Sequence, residues 1–304
     1  MAGRLCHPGT AEPRFDDATS IDVASSNWGL PVVIRGYCTN PECDEARRAA
    51  FRRLEGMRVL SRRAEPDLAV RVAGEPDRGV PVVLVHGMAS DHSTWRPLAA
   101  SLRRQGRGVV SVDLRGHGRS GRPDGPYRLD DFRDDLVYVL DNLGIHVADV
   151  VGHSLGAHTA LRLAMYEPSR VRRMVLEEVP PMPRDEADLS EGITMKATLG
   201  EQIRGLVALA RNPFPVFRFD GRMGDEIVAE FDVCAPQWWS ELPRVSASTM
   251  VISGGERSFL PPRHLRTVSE ALPDSRFVIL DAGHSVHRDR RAEFIRHVEG
   301  FLGR

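Results

Sequence analysis

Gly152-His153-Ser154-Leu155-Gly156 is the strongest chemical signal in the chain. It follows the β-branched stretch Ala148 to Val151 and opens a helical stretch at Ala157. Glycines at both flanks allow a sharp strand-to-helix turn that projects the serine hydroxyl. The helix behind it supplies free backbone N–H groups and a positive dipole end. Ser154 is therefore the expected nucleophile, and a serine there implies acyl-enzyme chemistry on a carbonyl. The second signal is Asp281-Ala282-Gly283-His284-Ser285-Val286-His287, just after the last apolar run. His284 is the expected general base, placed in the chain order serine, acid, histidine. His86-Gly87-Met88 ends an earlier apolar run, and His86 reads as a residue that orients its loop.

Short apolar strands must hold these groups. From Ala64 onward such runs alternate with helical stretches, which predicts a mainly parallel sheet. The expected strands are Val80 to His86, Gly108 to Asp113, Ala148 to Gly152, Val171 to Glu177, Ser248 to Ser253 and Arg276 to Asp281. Leu129 to Leu143, Gly156 to Glu167 and Arg290 to Leu302 read as helices between them. Residues 64–180 and 244–304 are thus expected to form an α/β core. Residues 181–243 break the alternation with helical segments at Thr198 to Ala210 and Gly224 to Phe231, and read as a helical lid over a site. Residues 1–63 read as an N-terminal extension. It is loop-like to Pro41, then helical over Pro41 to Leu60, with Ala46, Ala50, Leu54 and Met57 on one face.

Composition narrows the function classes. With 304 residues the chain can bury a large core without metal or disulfide. A formal net charge of −1 provides no field to attract nucleic acid or an anionic membrane. Apolar runs such as Val82 to Val85 are far too short to cross a bilayer, and Met1 to Thr10 lacks the core of a secretory signal. The expected partner is a small-molecule substrate, in the cytoplasm, with no nucleic acid and no membrane; the oligomeric state stays open. Cys6, His7, Cys38 and Cys43 offer a conceivable zinc set, against which reduced structural thiols are the preferred reading. No metal is expected. A single lysine, Lys196, among 41 basic residues points to a GC-rich bacterial source.

From about Leu68 to Leu302 the chain resembles an α/β-hydrolase. It is similar to the lid-bearing branch with esterases, C–C bond hydrolases, haloalkane dehalogenases and cofactor-free haloperoxidases. The residues that carry the resemblance are His86-Gly87, the stretch from Asp113 to Ser120, the Ser154 pentapeptide and Ala282-Gly283-His284. The resemblance implies a mainly parallel central sheet flanked by helices, with a helical lid insertion and no cofactor. It implies that Met88 and Leu155 N–H groups form the oxyanion hole, and that Asp113 to Ser120 is a structural turn. Many relatives carry their acid after the penultimate strand, where this chain has Ser258 in Gly255-Glu256-Arg257-Ser258-Phe259. Matching Arg170-Val171 and Met182-Pro183 to dehalogenases with a glutamate acid puts that role on Glu178. Glu256 reaching His284 is the alternative, and strand alternation points Glu177 the other way. Trp238, Trp239 and Phe217 are expected substrate contacts in an apolar pocket, with lid core as the competing reading. The expected function is a serine hydrolase acting on an ester, thioester or activated ketone of a small apolar molecule. The alternative is a non-hydrolytic protein of this fold, either a small-molecule receptor or a cofactor-free cyclising or oxidative biosynthetic enzyme.

Overall fold

The computed structural model describes residues 55–74, 80–191, 207, 210 and 212–303. Gly56–Leu60 (β1) and Leu68–Ala73 (β2) pair antiparallel, and β2 in turn pairs antiparallel with Val109–Val112, here β4. The remaining strands are parallel: Val82–Val85 (β3), β4, Ala148–His153 (β5), Val171–Glu177 (β6), Ser248–Ser253 (β7) and Ser275–Ile279 (β8). The 8-stranded sheet has the order β1-β2-β4-β3-β5-β6-β7-β8. Strands β3 to β8 match the expected runs to within a few residues.

Helices cover both faces, which is why the central strands are apolar throughout instead of alternating. Val83, Val85, Val110, Val112 and Val150 face one buried cluster, packed under Leu129–Asn142 (α2) and Leu155–Tyr166 (α3). Val82, Leu84, Val109, Val151 and Ile252 face the other, under Arg96–Arg104 (α1) and the C-terminal helix Arg291–Leu302. Among the described residues no helix is long and apolar enough to cross a membrane.

One expectation is corrected at the N-terminal edge. The segment read as the end of a helix over Pro41 to Leu60 is strand β1, and the part before residue 55 lies outside the described residues. Gly56 has φ 110, a backbone state that glycine adopts freely and a helix does not use. The five residues then bond to β2 through their main chain, Met57 opposite Arg71. The sheet therefore begins at Gly56, inside the expected extension, and the core boundary moves from residue 64 to 56. The cysteine–histidine set Cys6, His7, Cys38 and Cys43 also lies outside the described residues.

Among the described residues, the α-helices between β6 and β7 are Glu186–Glu191, Phe214–Phe217, Arg222–Phe231 and Pro236–Glu241. Most of the expected helix from Thr198 to Ala210 is outside the described residues. Arg222–Phe231 is docked onto the core by both apolar and polar contacts. Met223, Ile227 and Phe231 are buried. Glu230 accepts the N–H of Leu129 at 2.8 Å, so a carboxylate about a hundred positions away serves the free N-terminus of α2. Glu226 accepts from Tyr127 N at 2.7 Å, and the Tyr127 hydroxyl donates to Asp220 at 3.0 Å.

Candidate active site

The turn from β5 into α3 is as tight as its glycines predict. A Cβ at Gly152 would lie 2.5 Å from Gly156 O, and one at Gly156 would lie 2.4 Å from both Val85 O and His86 O. Ser154 has φ 51 and ψ −118, a left-handed state that costs a non-glycine residue roughly 1–3 kcal/mol. Its N–H donates to Glu177 O at 2.9 Å, which ties the turn to the end of β6.

Glu178 follows β6 and is also left-handed, with φ 52; its N–H donates to Ile252 O at 2.9 Å. The side chain is fully buried and surrounded by donors. Gly254 N–H donates to Oε1 at 2.5 Å. Oε2 accepts from the Ser258 hydroxyl and from His284 Nδ1 at 3.1 Å. Since Leu260 N–H donates to Ser258 Oγ at 3.1 Å, the Ser258 proton is directed at the carboxylate. Ser258 occupies the position where an acid is usual and instead donates to the acid from β6. Glu256 is exposed. His284 Nδ1 carries its proton toward Glu178, which leaves Nε2 as the basic nitrogen.

Register places the two segments expected to carry the oxyanion donors at the ends of neighbouring strands. Val85 of β3 is opposite Gly152 of β5, and Met88 and Leu155 each follow three residues later. Leu155 is the first residue of α3, so its N–H has no acceptor within the helix. The loop carrying Met88 turns at Ala89, with φ 55, and Ala89 N–H donates to His117 Nε2 at 3.1 Å. His117 Nδ1–H donates to Arg115 O at 3.0 Å, and burial pushes this imidazole down to about 3. His86 also has a fixed tautomer. It donates from Nδ1 to Gly87 O at 2.8 Å and accepts Leu114 N–H at Nε2 at 3.0 Å, as a loop-orienting residue would.

The three expected substrate contacts have different surroundings. Phe217 is 77% exposed, on a one-turn helix whose Phe214 and Val216 also face outward, so the expectation of a pocket-lining Phe217 is corrected. Phe219 turns inward in its place, its ring 5.0 Å from His117. Trp238 is buried and stacks on His158 at 5.5 Å, as core packing. Trp239 is half-buried and anchors its indole N–H on Met182 O at 2.7 Å.

Sequence reasoning did not foresee a second polar cluster behind the turn. His153, Glu177 and His287 are all buried, with ligand-type atoms within 4.8 Å of one another. Their hydrogen bonds argue against a cation. His287 Nδ1 donates to Glu177 at 2.8 Å, its Nε2 accepts from Thr94 Oγ1 at 2.7 Å, and His153 Nε2 donates to His284 O at 2.7 Å. Burial pushes His153 and His287 well below the ordinary imidazole value and pushes Glu177 up. The available signal was the pairing of adjacent acids, Glu177-Glu178, with histidines three residues apart, His284 and His287.

A strained serine after β5 and a buried carboxylate–histidine pair after β6 thus stand at the ends of neighbouring parallel strands. The sequence model described as alpha/beta hydrolase fold matches residues 80–215. The chain is 26% identical over 248 residues to the sn-1-specific diacylglycerol lipase ABHD11 of Mus musculus, covering 73% of this chain and 80% of that protein. It is 28% identical over 258 residues to 2-hydroxymuconate semialdehyde hydrolase of Pseudomonas sp. strain CF600, covering 74% of this chain and 87% of the relative. Among solved structures, the enol-lactonase from Burkholderia xenovorans LB400 superposes with a TM-score of 0.65 at 27% identity, covering 79% of this chain and 97% of that one. The chain has the α/β-hydrolase fold and is similar to enzymes of that family.

Proposed function

We propose that the chain is a serine hydrolase acting on an ester, thioester or activated ketone of a small apolar molecule through Ser154, His284 and Glu178. The observation that carries this reading is the Glu178 carboxylate, fully buried yet bonded to His284 Nδ1 at 3.1 Å. A buried carboxylate in that position fixes the imidazole tautomer and stabilises the imidazolium that forms. His284 Nε2 takes the Ser154 proton as Oγ attacks the carbonyl. Met88 and Leu155 N–H groups hold the developing oxyanion. His284 then protonates the leaving group, and a water deprotonated by the same imidazole releases the acid.

The helices between β6 and β7 act as a lid in this reading. Support comes from Asn212, which donates to Ser93 Oγ at 3.3 Å and so links the insertion to the segment after the oxyanion loop. Trp239 and Phe219 are the aromatic groups proposed to meet the substrate's apolar part.

A fluorophosphonate probe and a panel of short p-nitrophenyl esters test the proposal. Labelling confined to Ser154, together with ester turnover, is the expected result. A folded protein that neither labels nor turns over any ester would favour a binding or rearrangement function on this fold.

A further inference from the structure

Two neighbouring carboxylates at the end of β6 hold two histidines. Glu177 is still in strand conformation and Glu178 is left-handed, so their side chains leave the chain on different sides. Glu178 accepts from His284. Glu177 accepts from the N–H of His287 at 2.9 Å and from its Nδ1 at 2.8 Å. The far nitrogen of His287 accepts from the Thr94 hydroxyl at 2.7 Å. Thr94, His287 and Glu177 therefore repeat the order hydroxyl, imidazole, carboxylate proposed for Ser154, His284 and Glu178. The Trp95 ring lies 4.5 Å from His287, packing its face away from water.

This string touches each part of the proposed site. Glu177 O accepts Ser154 N–H at 2.9 Å, and Glu177 precedes Glu178. His287 belongs to the turn that starts at His284. Thr94 is in the one-turn helix His92–Trp95, just past the loop that carries Met88. His153 precedes Ser154, donates to the backbone oxygen of His284 at 2.7 Å, and lies with its ring 4.8 Å from His284 and 4.9 Å from His287.

We propose that Thr94, His287 and Glu177, linked through His153, form a positioning relay that fixes the His284 backbone and ring against Ser154. The proposal rests on the hydrolase reading above. A general base misplaced by about 1 Å loses on the order of 10²-fold in rate. The relay supplies restraint at that scale because it anchors His284 from its own turn and from the nucleophile's strand at once. It gives His287 and His153 a role in catalysis that acts through His284.

The test compares Glu177→Gln, His287→Asn, His153→Phe, Thr94→Val and Thr94→Ser with the unaltered protein. Three readouts are taken: kcat and KM on p-nitrophenyl butyrate, the fluorophosphonate labelling rate, and the 15N shifts of His284, which report its tautomer. The expected result for the first four is a fall in kcat on the order of 10²-fold with little change in KM, and altered His284 shifts. Thr94→Ser keeps the hydroxyl and is expected to restore both. Folded variants with unaltered kcat and unaltered His284 shifts would overturn the relay. If Glu177→Gln or His287→Asn fails to fold, the half-exposed Thr94 pair decides by the same criteria. An unaltered protein that neither labels nor turns over esters refutes the hydrolase reading, and the His284 shifts of the variants then judge the relay on their own.

Discussion

Replacing Glu178 by glutamine turns one carboxylate oxygen into an NH2 group in a fully buried position where every neighbour is a donor. If the amide nitrogen replaces Oε1, it faces Gly254 N–H, which has no second orientation. Two donors then oppose each other without water, at about 1–3 kcal/mol. If it replaces Oε2, it faces the Ser258 hydroxyl and His284 Nδ1. The hydroxyl can rotate, and the imidazole can move its proton to Nε2. The second arrangement satisfies more groups and is the one expected. It leaves His284 with a proton where it needs a lone pair, so kcat should fall by roughly 10³–10⁴ while KM changes little. That loss corresponds to about 4–5 kcal/mol of transition-state stabilisation. Stability should hardly change, because the shape and most hydrogen bonds remain. Glu178→Ala should behave differently: it strands three buried donors and should lower the melting temperature as well. The assay is steady-state turnover of a p-nitrophenyl ester, with thermal unfolding in parallel. A folded Glu178→Gln protein within about tenfold of the original kcat would refute the tautomer argument. So would a crippled Glu256→Gln variant beside an active Glu178→Gln, since the acid would then lie after β7.

Three further outcomes are expected. Ser154→Ala and Ser154→Gly should both abolish turnover and phosphonate labelling; Ser154→Gly should also raise the melting temperature above that of Ser154→Ala, because φ 51 strains alanine and not glycine. Equal melting temperatures would show that the turn stores no strain at this residue. His117 is neutral in the folded protein, with its value lowered from 6.5 to about 3, so its contribution to stability is complete above pH 6.5 and is lost as the pH falls toward 3. Its share of the slope is about 1.4 kcal/mol per pH unit in that window, and urea midpoints for His117→Gln should depend less steeply on pH there. Deleting residues 1–54 should leave esterase activity in a soluble protein, whereas extending the deletion through Leu60 removes β1 and exposes the edge of β2 to aggregation. A soluble, folded and inactive 1–54 deletion would place part of the site in that segment.

How much was legible beforehand depended on how locally each feature is specified. The turn at Ser154 was readable because its chemistry needs glycines at fixed offsets, and the 2.4–2.5 Å approaches at Gly152 and Gly156 show why no larger residue fits. The parallel core was readable because strands buried on both faces need unbroken apolar runs. Strand β1 was not, since only Leu60 of its five residues is buried and the segment owes its conformation to pairing with β2. Phe217 misled because an aromatic side chain on a one-turn helix does not announce which side of that turn is buried. The Thr94–His287–Glu177 string was out of reach for a different reason. Its members meet across 193 and 110 positions, and no local pattern encodes such a meeting.

The acid shows how register converts sequence into chemistry. Ser154 N–H bonds to Glu177 O, and Glu178 N–H bonds to Ile252 O, so the proposed nucleophile and acid are both anchored at the end of β6. A slip of β6 by one residue would move Glu177 to the place of Glu178 and Leu176 to the place of Glu177, because every residue shifts together and every side chain changes face. The carboxylate that accepts from His287 would then be lost. What forbids the slip is the end of the apolar run, since Arg173 would move into the fully buried place of Met174. The boundary between Arg173 and Met174 therefore helps to set which glutamate faces His284, and the two left-handed residues, Ser154 and Glu178, mark where β5 and β6 end.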